Sequence, residues 1–174
     1  MTIPPIDPSK IIWIKSVDRH ATPLWAYCGE DPAARHLEPQ REGDEFDLAW
    51  PTRLRKNVKG PQREDIICLI QDNHVTHLAQ VMDDQPHPRS PEHLRAQSQG
   101  TNYAIARLVR ALVIRGKGRA PSCREALRFV PRLQGGPCGR IATLSWFRES
   151  RWPSEGGLAA FQRHLVRVLT GTAS

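Results

Sequence analysis

An α+β fold is predicted by three local patterns: a β-branched, aromatic run at residues 11–17, two apolar runs flanking Asp72-Asn73, and an amphipathic stretch after Ser154. At 174 residues the chain suits one domain of ordinary size, so a single domain over 1–174 is expected. Its 15 Pro and 12 Gly imply many turns and exclude collagen-like and coiled-coil classes.

The first element is the run Ile11-Ile12-Trp13-Ile14-Lys15-Ser16-Val17, whose composition suits a strand largely buried on both faces. A second short strand is expected at residues 24–28, followed by a polar connection to Asp44 containing Pro32 and Pro39. Phe46-Asp47-Leu48-Ala49-Trp50 reads as a strand ending at Pro51, which has no N–H to donate. Residues 52–60 form a basic loop. Residues 65–71 and 74–83 then make a hairpin, because Asp and Asn tolerate the left-handed conformation a two-residue turn requires. Residues 84–101, with Pro86, Pro88 and Pro91, are a long polar loop that could cover a site.

Residues 103–115 can be read in two ways. Ile105, Leu108, Val109, Leu112 and Val113 fall at helical spacing, while the β-branched content permits a strand; periodicity alone favours the helix. Residues 122–129 predict a short helix after Pro121, and 141–147 a strand after the turn Gly135-Gly136-Pro137-Cys138-Gly139-Arg140. The last helix is marked by Ser154 as cap, Glu155 at its positive end, and a stripe of Leu158, Phe161, Leu165, Val168 and Leu169. Arg163 and Arg167 lie on its other face.

No apolar run approaches the roughly 18 to 20 residues that cross a bilayer, and the start lacks a basic-then-apolar leader, so a cytoplasmic, non-membrane protein is expected. The four cysteines, Cys28, Cys68, Cys123 and Cys138, contain no C-x-x-C pair and read as free thiols. Charge is unevenly spread. Residues 1–100 carry 12 basic and 15 acidic side chains, and residues 101–174 carry 13 and 3. Arg accounts for 20 of the 25 basic residues, and its planar fork binds phosphate bidentately, so a polyanion is a plausible partner.

Five Trp accompany only two Tyr and four Phe. An indole can stack on a base, although a Trp within a strand more often belongs to the core. The glycine-rich turn at 135–140 lacks the spacing and lysine of a phosphate loop, and Gly156-Gly157 is better explained by close packing than by phosphate binding. His74 and His77 sit three apart on a strand, which in a regular strand sets them on opposite faces and makes no metal site. The acidic cluster Asp44, Glu45 and Asp47 has no catalytic partner motif, and nucleophile elbows and zinc-protease motifs are absent.

With these residues in order, the chain resembles the PUA-like superfamily and, within it, the EVE and YTH type of domain. Trp13-Ile14-Lys15-Ser16 is similar to the first-strand pattern of that group. Trp50 with Arg53, Arg55 and Lys59-Gly60, then Glu64-Asp65-Ile66-Ile67-Cys68-Leu69-Ile70, resembles its aromatic residue, basic turn and following strand; His77-Leu78-Ala79-Gln80-Val81 resembles the returning strand. The similarity covers residues 11–147 and departs from the family at Pro61-Gln62-Arg63 and at the helical extension, about 152–170.

The resemblance implies a curved β-barrel with flanking helices and an added C-terminal helix, and makes 103–115 a barrel strand. It also implies a non-enzymatic reader of a modified or flipped-out base in DNA or RNA, with no cofactor and no metal. Trp13, Trp25 and Trp50 would wall the pocket, Lys15 and Ser16 would form its rim, and His77 would contact the base edge. Arg53, Arg55, Lys56 and Lys59, with Arg107 and Arg110, would hold phosphates, which supply affinity without sequence information. Two alternatives stand beside it: a metal-dependent enzyme acting on nucleic acid through Asp44, Glu45 or Asp47, and a protein-interaction domain whose last helix docks in a groove.

Overall fold

The computed structural model of the chain describes residues 5–16, 42–51, 60–71, 73–84, 95, 101–112, 119–128 and 138–171. The expected strand at 24–28, the basic side chains of residues 52–59 and most of the loop at 84–101 lie outside them. Six strands form one mixed sheet: β1 (Ile11–Ser16), β2 (Glu45–Pro51), β3 (Ile66–Gln71), β4 (His74–Asp83), β5 (Thr101–Ala111) and β6 (Cys138–Arg140). Their order is β2-β5-β4-β3-β1-β6. β1 runs parallel to β3, and the other neighbours are antiparallel. Three α-helices follow the sheet or its last hairpin: α1 (Cys123–Leu127), α2 (Ser145–Glu149) and α3 (Gly157–Thr170).

The expected barrel is corrected to an open sheet. β2 and β6 are the two ends of the strand order and do not pair with each other among the described residues. Pro51 suits such an edge, since it closes β2 opposite Thr101 where no further ladder bond is needed.

β3 and β4 form the expected hairpin, with Asn73 at φ 60° in its turn. The turn also seats α1: the Cys123 N–H donates to the Asn73 carbonyl at 2.7 Å, and Val75 N–H donates to Pro121 at 3.0 Å. Ser122 and Glu125 close a reciprocal capping box on α1.

β5 settles the ambiguity over 103–111 in favour of a strand; Leu112 lies just past its end, and residues 113–115 lie outside the described set. It lies between β2 and β4 and is apolar on both faces, and its pairing with β4 shifts register twice. Burial on two faces and irregular register together blur the period of two that would have marked it.

The expected strand at 141–147 is instead the short β6, a 3-10 turn at Ile141–Thr143 and then α2. Adjacent strand residues face opposite ways, yet Trp146 and Phe147 both pack against Phe161, with ring centroids at 6.0 and 5.8 Å. One helical turn allows this. Ser154 does not cap the last helix: Trp152–Glu155 is a 3-10 turn, and Gly156 and Gly157, at φ 108° and 67°, turn the chain into α3. A Cβ on Gly156 would meet that of Ala160 at 3.0 Å, so both its backbone angle and the close approach call for glycine.

The sheet separates two apolar clusters. One holds Ile14, Cys68 and Leu78 of the strands beneath Leu127, Trp146, Phe147, Trp152, Phe161, Leu165 and Leu169. The last helix is thus part of this core, and its stripe is spent inside the chain rather than presented to a partner. Gln162 adds a clamp, its amide donating to the Ile11 and Ser9 carbonyls at 3.0 and 3.3 Å. The second cluster contains Trp13, Phe46, Leu48, Ile67, Leu69, Ala79, Val81, Ala106 and Leu108. No helix among the described residues is long and apolar enough to cross a membrane.

Candidate nucleic-acid interface

The parallel pairing of β1 with β3 decides where the residues at the end of β1 lie. Ile12 is the extra residue of an irregularity between Ile11 and Trp13, so Trp13 comes opposite Ile67, Lys15 opposite Leu69, and Ser16 opposite Ile70. Ile67 and Leu69 belong to the second cluster and Ile70 to the first. Trp13 and Lys15 therefore share the second face, and Ser16 is on the helical face.

His77 joins the same face. It pairs with Leu69 on one side and Ala111 on the other, which makes a continuous row of Cys138, Lys15, Leu69, His77 and Ala111 across five strands. Trp13 occupies the neighbouring row with Arg140, Ile67, Ala79 and Leu108. Two strand spacings separate the Lys15 and His77 backbones, about 10 Å, with Leu69 between them. Gln71, buried at 2% exposure two residues beyond Leu69, extends this polar end of the face and was not singled out from the sequence. A polar residue ending an otherwise apolar strand was the available signal.

Depth separates these groups. Trp13 and His77 are 3% and 1% exposed, whereas Lys15 is half-buried. The Trp13 indole N–H donates to Asp65 Oδ2 at 2.8 Å, and the same oxygen accepts the Gln62 N–H at 2.8 Å. This carboxylate ties the first strand to the turn before β3. The Ser16 hydroxyl oxygen and that of Thr76 are buried with no hydrogen-bond partner among the described residues. Such a group costs roughly 1 to 3 kcal/mol relative to a satisfied one.

Thr76 also alters the reading of the two histidines. The register passes from Ile70 opposite Val75 to Leu69 opposite His77, skipping Thr76, so the bulge breaks the alternation on which the opposite-face expectation rested. Among the described residues no group of three or more His, Cys, Asp or Glu is placed to hold a metal ion.

Arg107 and Arg110 are engaged within the chain. Arg107 pairs with Glu45 at 2.6 Å; Arg110 pairs with Glu42 at 3.1 Å and donates from Nε to the Leu169 carbonyl at 2.9 Å. Both face carboxylates that any phosphate would have to displace. Glu45, one of the acids of the enzyme alternative, is therefore an ion-pair partner. Trp25, Arg53, Arg55, Lys56 and Lys59 lie outside the described residues; Trp50 is described through its backbone, opposite Asn102 in β2. The side chain of Asp47 is likewise outside them.

What these features define, among the described residues, is a mixed α+β fold with an open six-stranded sheet and three helices. Comparisons with protein-family models, with curated proteins and with solved structures found no match to the chain.

Proposed function

We propose that the chain is a non-enzymatic nucleic-acid-binding module of PUA-like descent that reads a modified or extruded base. The observation that carries this reading is the meeting of Trp13, Lys15 and His77 on one face of the sheet, two of them in a single cross-strand row. These residues come from two separate stretches of sequence, β1 and β4, and their meeting at the end of the parallel pair is the arrangement a shared pocket needs. The half-buried Lys15 is the polar contact at its rim, and recessed Trp13 and His77 hold its floor. The strongly basic half of the chain, 13 basic against 3 acidic residues over 101–174, supplies the long-range attraction for a polyanion. Extruding a base costs a few kcal/mol, which stacking and edge hydrogen bonds in such a pocket offset.

The test is competition binding with modified and unmodified single-stranded oligonucleotides at two salt concentrations, using the wild type, Lys15→Gln and Trp50→Ala. Loss of one charged hydrogen bond at the base should weaken the preferred oligonucleotide about 10-fold or more in Lys15→Gln, while leaving the salt slope almost unchanged. Equal affinity of all three proteins for every oligonucleotide would overturn the pocket.

A further inference from the structure

A second polar constellation lies on the far side of the helical layer from the row just described. Residues of α1, the 3-10 turn Trp152–Glu155 and α3 enclose a groove of about 380 Å³ lined by Arg128, Trp152, Glu155, Arg163, His164 and Arg167. Its floor is built: the Trp152 indole N–H donates to the Leu127 carbonyl at 2.9 Å, and the Arg128 guanidinium carbon sits 4.6 Å over the Trp152 ring. Arg128 is neutralised by Glu155 at 2.7 Å.

The other two arginines are not neutralised. Arg163 and Arg167 stand one turn apart on the exposed side of α3, and neither has a carboxylate partner among the described residues. Like charges at this spacing oppose helix formation. Arg167 is instead held by a neutral group: its Nη2 donates to His164 Nδ1 at 3.1 Å, which requires Nδ1 to be an acceptor and leaves Nε2–H to donate to the Glu125 carbonyl at 3.0 Å. A single imidazole tautomer therefore runs from α1 to Arg167 and aims a guanidinium without cancelling its charge. Burial lowers the proton affinity of His164, the bond to the Glu125 carbonyl opposes this, and the charges of Arg128 and Arg167 lower it further, so the net direction is toward the neutral ring.

We propose that this groove is a phosphate-binding site in which Arg163 and Arg167 clamp the oxyanion and His164 positions Arg167. The ligand class is a phosphate group, free or within a nucleic-acid backbone. The site is independent of the base pocket, since it draws on different elements and on the opposite side of the sheet. Ala160, the small residue one turn before His164, also lines the groove and leaves room for an anion.

The experiment follows the ring resonances of His164 by NMR while the full chain is titrated with inorganic phosphate, then with a ten-nucleotide thymidine strand carrying phosphodiester or uncharged methylphosphonate linkages. Phosphate should shift the His164 ring resonances, because the anion engages Arg167, whose Nη2 donates to His164 Nδ1. In the double variant Arg163→Gln/Arg167→Gln the shift should vanish with no loss of thermal stability, the like-charge pair having been removed. If the anion is a backbone phosphate, the diester strand binds, the methylphosphonate strand does not, and the double variant lowers the log–log salt slope by about 1.4 for two lost contacts. If it is a free phosphate, only the inorganic ion responds to the double variant. An undiminished phosphate response in the double variant, or no response at His164 in the wild type, overturns the proposal. The response of His164 to inorganic phosphate involves only side chains of this groove and none of the sheet face that carries Lys15, so failure here is separable from failure of the base pocket.

Discussion

Arg110 of β5 donates from Nε to the carbonyl of Leu169, in the last turn of α3, at 2.9 Å. The same guanidinium reaches Glu42 at 3.1 Å, and that carboxylate oxygen also accepts the Ala111 N–H at 3.2 Å. A cation thus meets the negative end of a helix and fastens it to the sheet. Replacing it with an apolar side chain of similar length, Arg110→Met, should lower unfolding free energy by about 1 to 2 kcal/mol, a charged hydrogen bond discounted for partial exposure. Urea denaturation measures this. An unchanged midpoint, paired with weakened oligonucleotide binding, would show instead that Arg110 serves phosphate.

Ser122 and Glu125 make the N-terminus of α1 sensitive to acid. The Glu125 carboxylate accepts from the Ser122 N–H at 2.7 Å and from its hydroxyl at 2.8 Å, and these bonds hold its pKa below the ordinary 4.5. As pH falls through 4.5 the unfolded chain takes up the proton first, so the stabilisation is present above that value and is lost as pH drops through the folded-state pKa. Ser122→Ala should cost about 1 kcal/mol at pH 7. In thermal melts from pH 7 to pH 3, the gap between wild type and Glu125→Gln should close at the acid end; a constant gap would sever the link to this carboxylate.

How much of the molecule could be read in advance follows from how local each signal is. The hairpin was legible because its turn is two residues, and Asn73 adopts the left-handed angle that its side chain tolerates. The stripe of α3 was legible because one core receives Phe161, Leu165 and Leu169 at helical spacing. Its start was not, because two left-handed glycines, rather than Ser154, make the turn. β5 was ambiguous because burial on both faces removes alternation. At the site, the type of residue at the end of β1 was legible, but the side each one takes was not: the irregularity at Ile12 and the bulge at Thr76 shift which residues share a face. The groove beside Trp152 could not be foreseen, since Arg128 and His164 come to line it together only after α1 docks on α3.

Phe161 is the hub of the helical layer. It is fully buried, and the rings of Trp146, Phe147 and Trp152 lie 5.5 to 6.0 Å from it in edge-on orientations. Phe161→Ala removes a contact shared by all three and leaves a cavity, at a cost of about 3 to 5 kcal/mol. Trp152→Phe retains most of the packing but leaves the Leu127 carbonyl without its donor, at about 1 to 2 kcal/mol. Calorimetric melts of the two variants should keep that order, and a reversed order would mean that the helical layer is held by the bond between Trp152 and Leu127 more than by the ring cluster.

Cys68 and Cys123 test the helical layer by chemistry. Both thiols are free and buried; burial drives Cys68 far above the ordinary thiol range, with Cys123 adding to the effect, and pushes Cys123 up to about 12. Only the thiolate reacts, and at pH 8 a group with a pKa near 12 is ionised in roughly one molecule in ten thousand. Treated with iodoacetamide at pH 8, the folded protein should yield unmodified peptides at both positions by mass spectrometry, and the same treatment in urea should alkylate both. Because Cys123 opens α1 and Cys68 lies in β3 beneath it, they should become reactive together at the urea midpoint set by Phe161. Earlier exposure of Cys123 would show that α1 releases from the sheet before the core gives way.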